Sequence, residues 1–317
     1  MRFGRIAILR PRIPPMSALI VTLTANPLAE TTYVLPGVAA LGMTQRAASE
    51  SFQVGGKGFN VAKMLARLDV DTLALSFGGN GGGDVCSRWL KTHARFNWEL
   101  IPSKRSVRTG AVVRDPAGTE TTFLGADCVW EDAAYDAMSL RLRSLPSDAI
   151  VALCGSFPGW NGEAASHLCG TLRELASGSR LIVDSYGPPL RDLTQLPLEL
   201  VKINRDELRA LNEGEVERDA PVPEQLNTLL DRLPVKRWIV TDGPRPVHFA
   251  SHQQTFQVIP PTITEVSPTG SGDVFLAACL AEDWTDETDW PARLGRAVFL
   301  SSRNAAHPGV AEFKVGD

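Results

Sequence analysis

Six short apolar runs punctuate the chain: LIVTLT from Leu19, LALSF from Leu73, IVALC from Ile150, LIVD from Leu181, LVKIN from Leu200 and WIVTD from Trp238. Each is nearly continuous, the pattern of strands covered on both faces in a parallel sheet. Helical spacing fills the intervals. In NVAKMLARL, Val61, Ala62, Leu65 and Leu68 fall on one face, and EAASHLCGTLRELA and PEQLNTLLDRL read likewise. Alternation of β and α over the whole length predicts one doubly wound α/β domain with a mostly parallel sheet.

Two segments break this rhythm. Residues 31–54 and 107–125 are rich in Thr and Val with period-2 stretches, and the second carries the turn sequence DPAG, with Pro116 preset for its position. They predict a small antiparallel sheet outside the parallel core, covering one edge of a site. In open parallel sheets ligands bind beyond the carboxyl ends of the strands. Those ends read Asn26, Gly78-Gly79, Gly155-Ser156, Asp184-Ser185, Asn204 and Thr241-Asp242-Gly243. Small and polar groups gather there, although turns after strands favour such residues in any case.

Composition narrows the classes. The 317 residues are 44% hydrophobic and 21% charged, with a formal net charge of −4. Nucleic-acid binders normally carry a basic face, so this chain is expected to bind none. Its apolar runs fall far short of the roughly 20 residues of a membrane span. Five scattered cysteines without a C-x-x-C pair point to reduced thiols and a cytoplasmic location. Residues 1–16 hold four arginines and no acid. They read as a disordered tail, as sequence upstream of a true start at Met16, or, less simply, as a targeting segment. Residues 17–317 form the expected domain.

Two motifs carry chemistry. SPTGSGD follows a β-like stretch and precedes the apolar VFLAACLA, so it lies at a strand–loop–helix junction. Gly270, Ser271 and Gly272 can turn consecutive amides toward one point at a helix start, an arrangement suited to a phosphoryl group. Asp273 would sit beside that anion and could accept a proton from an attacking hydroxyl. Taken alone, the same residues could simply make a turn and stabilise a helix start. The second motif, VGGKGFNVAKMLARL, brackets Lys57 with Gly55, Gly56 and Gly58 and sets Asn60 near the start of an amphipathic helix. There main chain could approach a polyhydroxylated ligand, with Lys57 and Asn60 as donors; a Gly-rich turn with a solvated lysine reads equally well. No P-loop and no G-x-S-x-G elbow occurs.

GGKGFNVA and GSGD, in this order, resemble the two signatures of the PfkB, or ribokinase-like, carbohydrate kinase family. TLTANPLAETTYVL is similar to the opening strand of its hexose-phosphate kinase branch, KINRDEL to the K-P-N-x-x-E-L stretch, and IVTDG to the strand end that meets ATP. The resemblance spans about Ser17 to Phe313 and implies a ribokinase-like fold with a β lid. It makes Asp273 the base and gives the γ-phosphoryl charge to the amides of Gly270, Ser271 and Gly272. It puts Asn204 and Glu207 around Mg²⁺ and phosphates, with the metal contact indirect. Lys202, Thr241, Gly243 and Asn304 become the ATP pocket, and Gly55, Gly56, Lys57 and Asn60 the sugar subsite. Arg108 matches the lid arginine that meets a sugar phosphate, with Arg46 a second candidate; a guanidinium fork suits a phosphate dianion. A homodimer contact through the lid sheet is a further implication.

Four departures stand out. Glu30 replaces the Asp that grips sugar hydroxyls. Ser267 and Pro268 replace the Asp and Thr of D-T-x-G-A-G-D, which puts monovalent-cation activation in doubt. Leu124 and Gly125 stand near the expected lid Asn, and Gly110 follows the R-T pair in place of another. The expected activity is therefore an ATP-dependent kinase of a ketohexose phosphate, 1-phosphofructokinase-like. The alternatives are a kinase for an unphosphorylated sugar or nucleoside, or a degenerate homologue that binds nucleotide or sugar without turnover.

Overall fold

The computed structural model describes residues 18–315 except 81, 179, 218 and 283–286. The stretch 1–16 lies outside the described residues. Strand β1 (Ile20–Thr24), buried throughout, leads into β2 (Leu28–Val34) and β3 (Ser49–Gly55). Helix α1 (Lys57–Arg67), β4 (Thr72–Asn80), α2 (Gly82–His93) and β5 (Asn97–Ser106) follow. Next come β6 (Arg108–Arg114), β7 (Glu120–Leu124), α3 (Asp132–Arg143) and β8 (Ile150–Cys154). Then α4 (Ser166–Ser177), β9 (Leu181–Asp184), α5 (Pro188–Leu193) and β10 (Leu200–Asn204) alternate. After α6 (Arg205–Leu211) and α7 (Val222–Arg232) the chain forms β11 (Arg237–Thr241), β12 (Val247–Ser251) and β13 (Thr255–Val258). Helices α8 (Ser271–Leu280) and α9 (Trp290–Ala305) close it.

The large sheet has the order β13-β12-β11-β10-β9-β8-β1-β4-β5. The six apolar runs are the contiguous strands from β11 to β4, all parallel, and β5 extends them in the same sense. Strands β12 and β13 turn antiparallel at the far edge. Because side chains alternate across a strand, the buried strands feed two layers. Val21, Leu23, Val151 and Val183 pack with Met138 of α3 and Leu168 of α4. Ile20, Ala152, Ile182 and Leu200 pack with Leu65 of α1, Phe275 of α8 and Leu294 of α9. From Asp273 to Leu280, α8 is buried on every side. The chain lays β4 and β5 on one side of β1, then returns to β8 on the other. Such a reversal opens a crevice at the carboxyl ends of the strands.

The second sheet, β3-β2-β6-β7, is built from the two off-rhythm segments. Its outer pairs are antiparallel as expected, but its central pair, β2 with β6, is parallel. The cause is topological: β2 follows β1 and β6 follows β5, two strands of one direction, so both leave the core edge pointing the same way. The glycines after LALSF, read as a strand end, lie within the strand instead. Gly78 and Gly79 belong to β4, where the register with β5 shifts. A Cβ on Gly79 would fall 2.0 Å from the Arg105 carbonyl oxygen.

Candidate active site

The start of α8 is shaped by Gly270. Its φ of 74° is left-handed, and a Cβ there would fall 2.3 Å from Cγ1 of Val310. Glycine meets both demands. The carbonyl of Gly270 accepts from the amides of Asp273 (3.0 Å) and Val274 (2.9 Å). The Ser271 amide does not face outward as expected; it closes a turn onto the Pro268 carbonyl at 3.1 Å. Among the described residues no main-chain acceptor engages the amides of Gly270 and Gly272. Gly272 is also a close approach, since a Cβ would lie 2.8 Å from Nζ of Lys202.

Asp273 is 5% exposed and is the one charged group of α8. Asn60 Nδ2, from α1, donates to its Oδ2 at 2.7 Å. Burial pushes its carboxyl up to about 6; Lys57, Asn60 and Lys202 pull it down, while Asp184 adds to the rise. Asp184, the last residue of β9, is wholly buried between two lysines, with Lys57 Nζ at 2.8 Å and Lys202 Nζ at 3.0 Å. Burial opposes its charge, yet Lys202 and Lys57 hold its carboxyl below the usual range. Lys57 is desolvated too, but Asp184, Asp273 and Glu207 hold its ammonium above its ordinary value. Two lysines and two acids from α1, β9, β10 and α8 therefore form one charge cluster at the strand ends. Sequence reasoning placed Asp184 at a strand end but gave it no role in the site.

A cleft of about 390 Å³ runs from Ser271 and Gly272 past Phe275 and Val298 to Thr241 and Gly243. Thr241 and Gly243, two of the residues expected to meet ATP, both line this cleft. Lys202 lies under the loop, bound to Asp184. Asn304 is elsewhere: wholly buried, it offers no surface to the cleft. Its Nδ2 donates to Thr269 O (3.0 Å) and Ser271 Oγ (3.1 Å), and its Oδ1 accepts from the Ala311 amide (2.7 Å). It supports the anion loop from behind. Asn204 caps α6: its Oδ1 accepts from the amides of Asp206 and Glu207, and Glu207 Oε2 accepts from the Asn204 amide. That capping box fixes the Glu207 carboxyl, which burial, with Asp184, pushes up against the pull of Lys57.

The sugar-side residues divide. Gly55 lies 3.6 Å, measured from a built Cβ, from Glu30 Oε2; Glu30 is nearly buried and accepts from Gln53. Gly56 (φ 125°) and Gly58 are required by the fold, since Cβ atoms would fall 2.7 and 2.3 Å from the Thr24 side chain. Arg108 is not free: its Nη1 lies 3.0 Å from Asp127 Oδ1, which also accepts from Asn26 Nδ2 at 2.7 Å. Asn26 in turn donates to Ser156 Oγ at 2.8 Å. Arg46 is exposed on the connection between β2 and β3.

Comparison with known proteins decides the family. A sequence profile of the pfkB family carbohydrate kinases matches residues 19–312. The chain belongs to this family. It is 26% identical over 262 residues to the ATP-dependent 6-phosphofructokinase isozyme 2 of Escherichia coli (strain K12), covering 82% of this chain and 84% of that one. The crystal structure of phosphofructokinase-2 from Escherichia coli in complex with substrates and products superposes with a TM-score of 0.81 at 23% identity, covering 93% of this chain and 94% of that one. Ribokinase from Thermotoga maritima gives 0.72 at 17% identity over 93% and 95%. At these identities the superpositions speak for the fold, which is ribokinase-like.

As a PfkB carbohydrate kinase the protein is a phosphotransferase with an alcohol group as acceptor. Members use ATP, typically with Mg²⁺. Among the described residues no group of three metal-ligating side chains occurs, and both oxygens of Asp184 are taken by lysines. This fits an ion held mainly by nucleotide phosphates and water, with Glu207, fixed by the capping box of α6, as the carboxylate that would reach it. A bound Mg²⁺ would supply charge neutralisation of the phosphates.

Replacing Gly270 tests how much of the loop geometry is needed. Gly270→Ala is expected to cost about 1–3 kcal/mol in stability through left-handed strain and overpacking against Val310, read as a lower Tm, and to lower kcat. A variant with unchanged Tm and kcat would show that the loop tolerates another geometry.

Proposed function

We propose that the protein transfers the γ-phosphoryl group of MgATP to a hydroxyl of a ketohexose phosphate. One observation carries this reading: Asp273, buried and held by Asn60, lies at the head of α8 beside the unengaged amides of Gly270 and Gly272. In this reading Asp273 takes the proton of the acceptor hydroxyl, and the two amides and the helix dipole meet the charge on the transferring group. Lys57 adds a fixed positive charge at the same point. Thr241 and Gly243 line the nucleotide cleft. Glu30, Gly55, Lys57 and Asn60 bound the sugar, and Arg108 and Arg46 supply guanidinium groups for its phosphate. One relative is an ATP-dependent 6-phosphofructokinase, which moves fructose 6-phosphate ahead of fructose 1-phosphate as first choice.

The Arg108–Asp127 pair favours a second reading. A guanidinium already matched by a carboxylate has less need of a phosphate, so an unphosphorylated sugar would fit a site kept in this state. ADP release with MgATP against fructose 6-phosphate, fructose 1-phosphate, tagatose 6-phosphate, fructose, ribose and adenosine separates the two. Turnover confined to the last three would overturn the first reading.

Arg108→Ala sharpens the test. Loss of a charge-assisted hydrogen bond to phosphate should raise KM for the phosphosugar by about tenfold to a hundredfold, with KM for ATP within about twofold. Equal effects on both would remove Arg108 from the phosphate subsite. The reading also includes a homodimer through the lid sheet, whose edge strand β7 exposes Phe123 and Leu124, and a cytoplasmic location, in keeping with five unpaired cysteines.

A further inference from the structure

The outermost lid strand touches the anion loop. Glu120, the first residue of β7, accepts at Oε1 from Thr269 Oγ1 (2.8 Å) and at Oε2 from Ser267 Oγ (3.4 Å). Its cross-strand partner Arg114 donates Nε to Oε2 at 2.8 Å, which holds the carboxylate in place. Ser267 and Thr269 flank Pro268 and run directly into Gly270. Two elements therefore grip the same loop. From the core, Asn304 binds Thr269 O and Ser271 Oγ, and the Ala305 carbonyl accepts from the Ser267 amide at 3.0 Å. From the lid comes Glu120. The core contacts come from the end of α9, where Asn304 is wholly buried. The lid contact exists only while β7 lies against the loop.

We propose that Glu120 is a positioning residue that ties the placement of the lid to the geometry of the anion loop. With the lid seated, the hydroxyls of Ser267 and Thr269 are bound and Gly270–Gly272 are held from two sides. With the lid lifted, the hydroxyls lose their acceptor and the loop is held from one side only. The sheet that covers the acceptor thus also sets the groups that receive the phosphoryl charge. The role in turnover rests on the kinase reading above; the mechanical link does not.

Amide hydrogen exchange tests the link on the full chain without ligand. Glu120→Ala should speed exchange of the bonded amides of Ser267, Ser271 and Asp273 by about tenfold, as expected when a charge-assisted anchor is lost. Thr269→Val, made on the loop and leaving the lid intact, should do the same. The double variant should show no more than the single ones, because the two residues share one interaction. Kinetics with MgATP and the phosphosugar turned over should show kcat lower by about tenfold in Glu120→Ala, KM for the sugar within about twofold, and partial recovery in Glu120→Gln. Unchanged exchange in Glu120→Ala, or simply additive effects of the two substitutions, would overturn the proposal. If no sugar phosphate is turned over, the kinase reading fails and the exchange result still decides the link.

Discussion

Asp273→Asn should abolish nearly all turnover while leaving the fold intact. A positioned general base contributes about 10²- to 10⁴-fold, and kcat is expected to fall within that range. The amide can still accept from Asn60, so the start of α8 should keep its shape and the KM values should move little. Stability should not fall. Burial raises the Asp273 carboxyl to about 6, above the unfolded carboxylate near 4. Its charged form is therefore disfavoured in the folded protein, and this penalty is complete above about pH 6. A neutral Asn removes the penalty, so Tm at pH 7.5 should be equal or higher. The same raised value predicts the wild-type profile: kcat rises through about pH 6 and levels above it, because only the deprotonated form accepts a proton. A rate loss under about tenfold, or a kcat profile flat down to pH 5, would take the base assignment away from Asp273.

What was readable in the sequence follows from how each feature is encoded. Strands buried on both faces are apolar throughout, so β1, β4, β8, β9, β10 and β11 show directly. Strand β5 mixes Trp98 and Ile101 with Asn97, Glu99 and Lys104 at the sheet edge and gives no such signal. Asp273 and Asn60 were legible because glycine patterns mark the starts of the helices that carry them. Asp184 was not. A lone acid after an apolar run is common, and its meaning here comes from Lys57 and Lys202, which lie 127 and 18 residues away in the chain. Arg108 was found by pattern, but its partner Asp127 is visible only in three dimensions. Gly56 illustrates the limit of composition: room for a ligand and room for the Thr24 side chain demand the same residue.

Asp184→Asn should be the most destabilising single change in the site. It leaves Lys202, 4% exposed, without a counter-charge, and unpairing a buried ion typically costs about 3–5 kcal/mol. For a chain of this size that corresponds to a Tm lower by roughly 4–8 °C. The pH dependence follows from the direction of each shift. Asp184 is held below the usual carboxylate range, so its contribution is present in full above pH 4 and is lost only as pH falls through its lower folded value. Lys57 is held above the usual lysine range, so its contribution is complete below about pH 10. The gap between wild type and variant should thus be constant from about pH 7.5 to 9, change as Asp273, whose rise Asp184 contributes to, titrates at about pH 6, and close in acid. Lys57 would lose its first partner as well, so KM for the acceptor should rise. Adding Lys202→Met separates charge from packing, because replacing both members of a buried pair by neutral groups is often harmless. The double variant should recover much of the lost Tm, but not the acceptor KM, which depends on Lys57. If Asp184→Asn melts like the wild type, or Lys202→Met deepens its loss, the cluster is held by packing and the electrostatic account of the site is wrong.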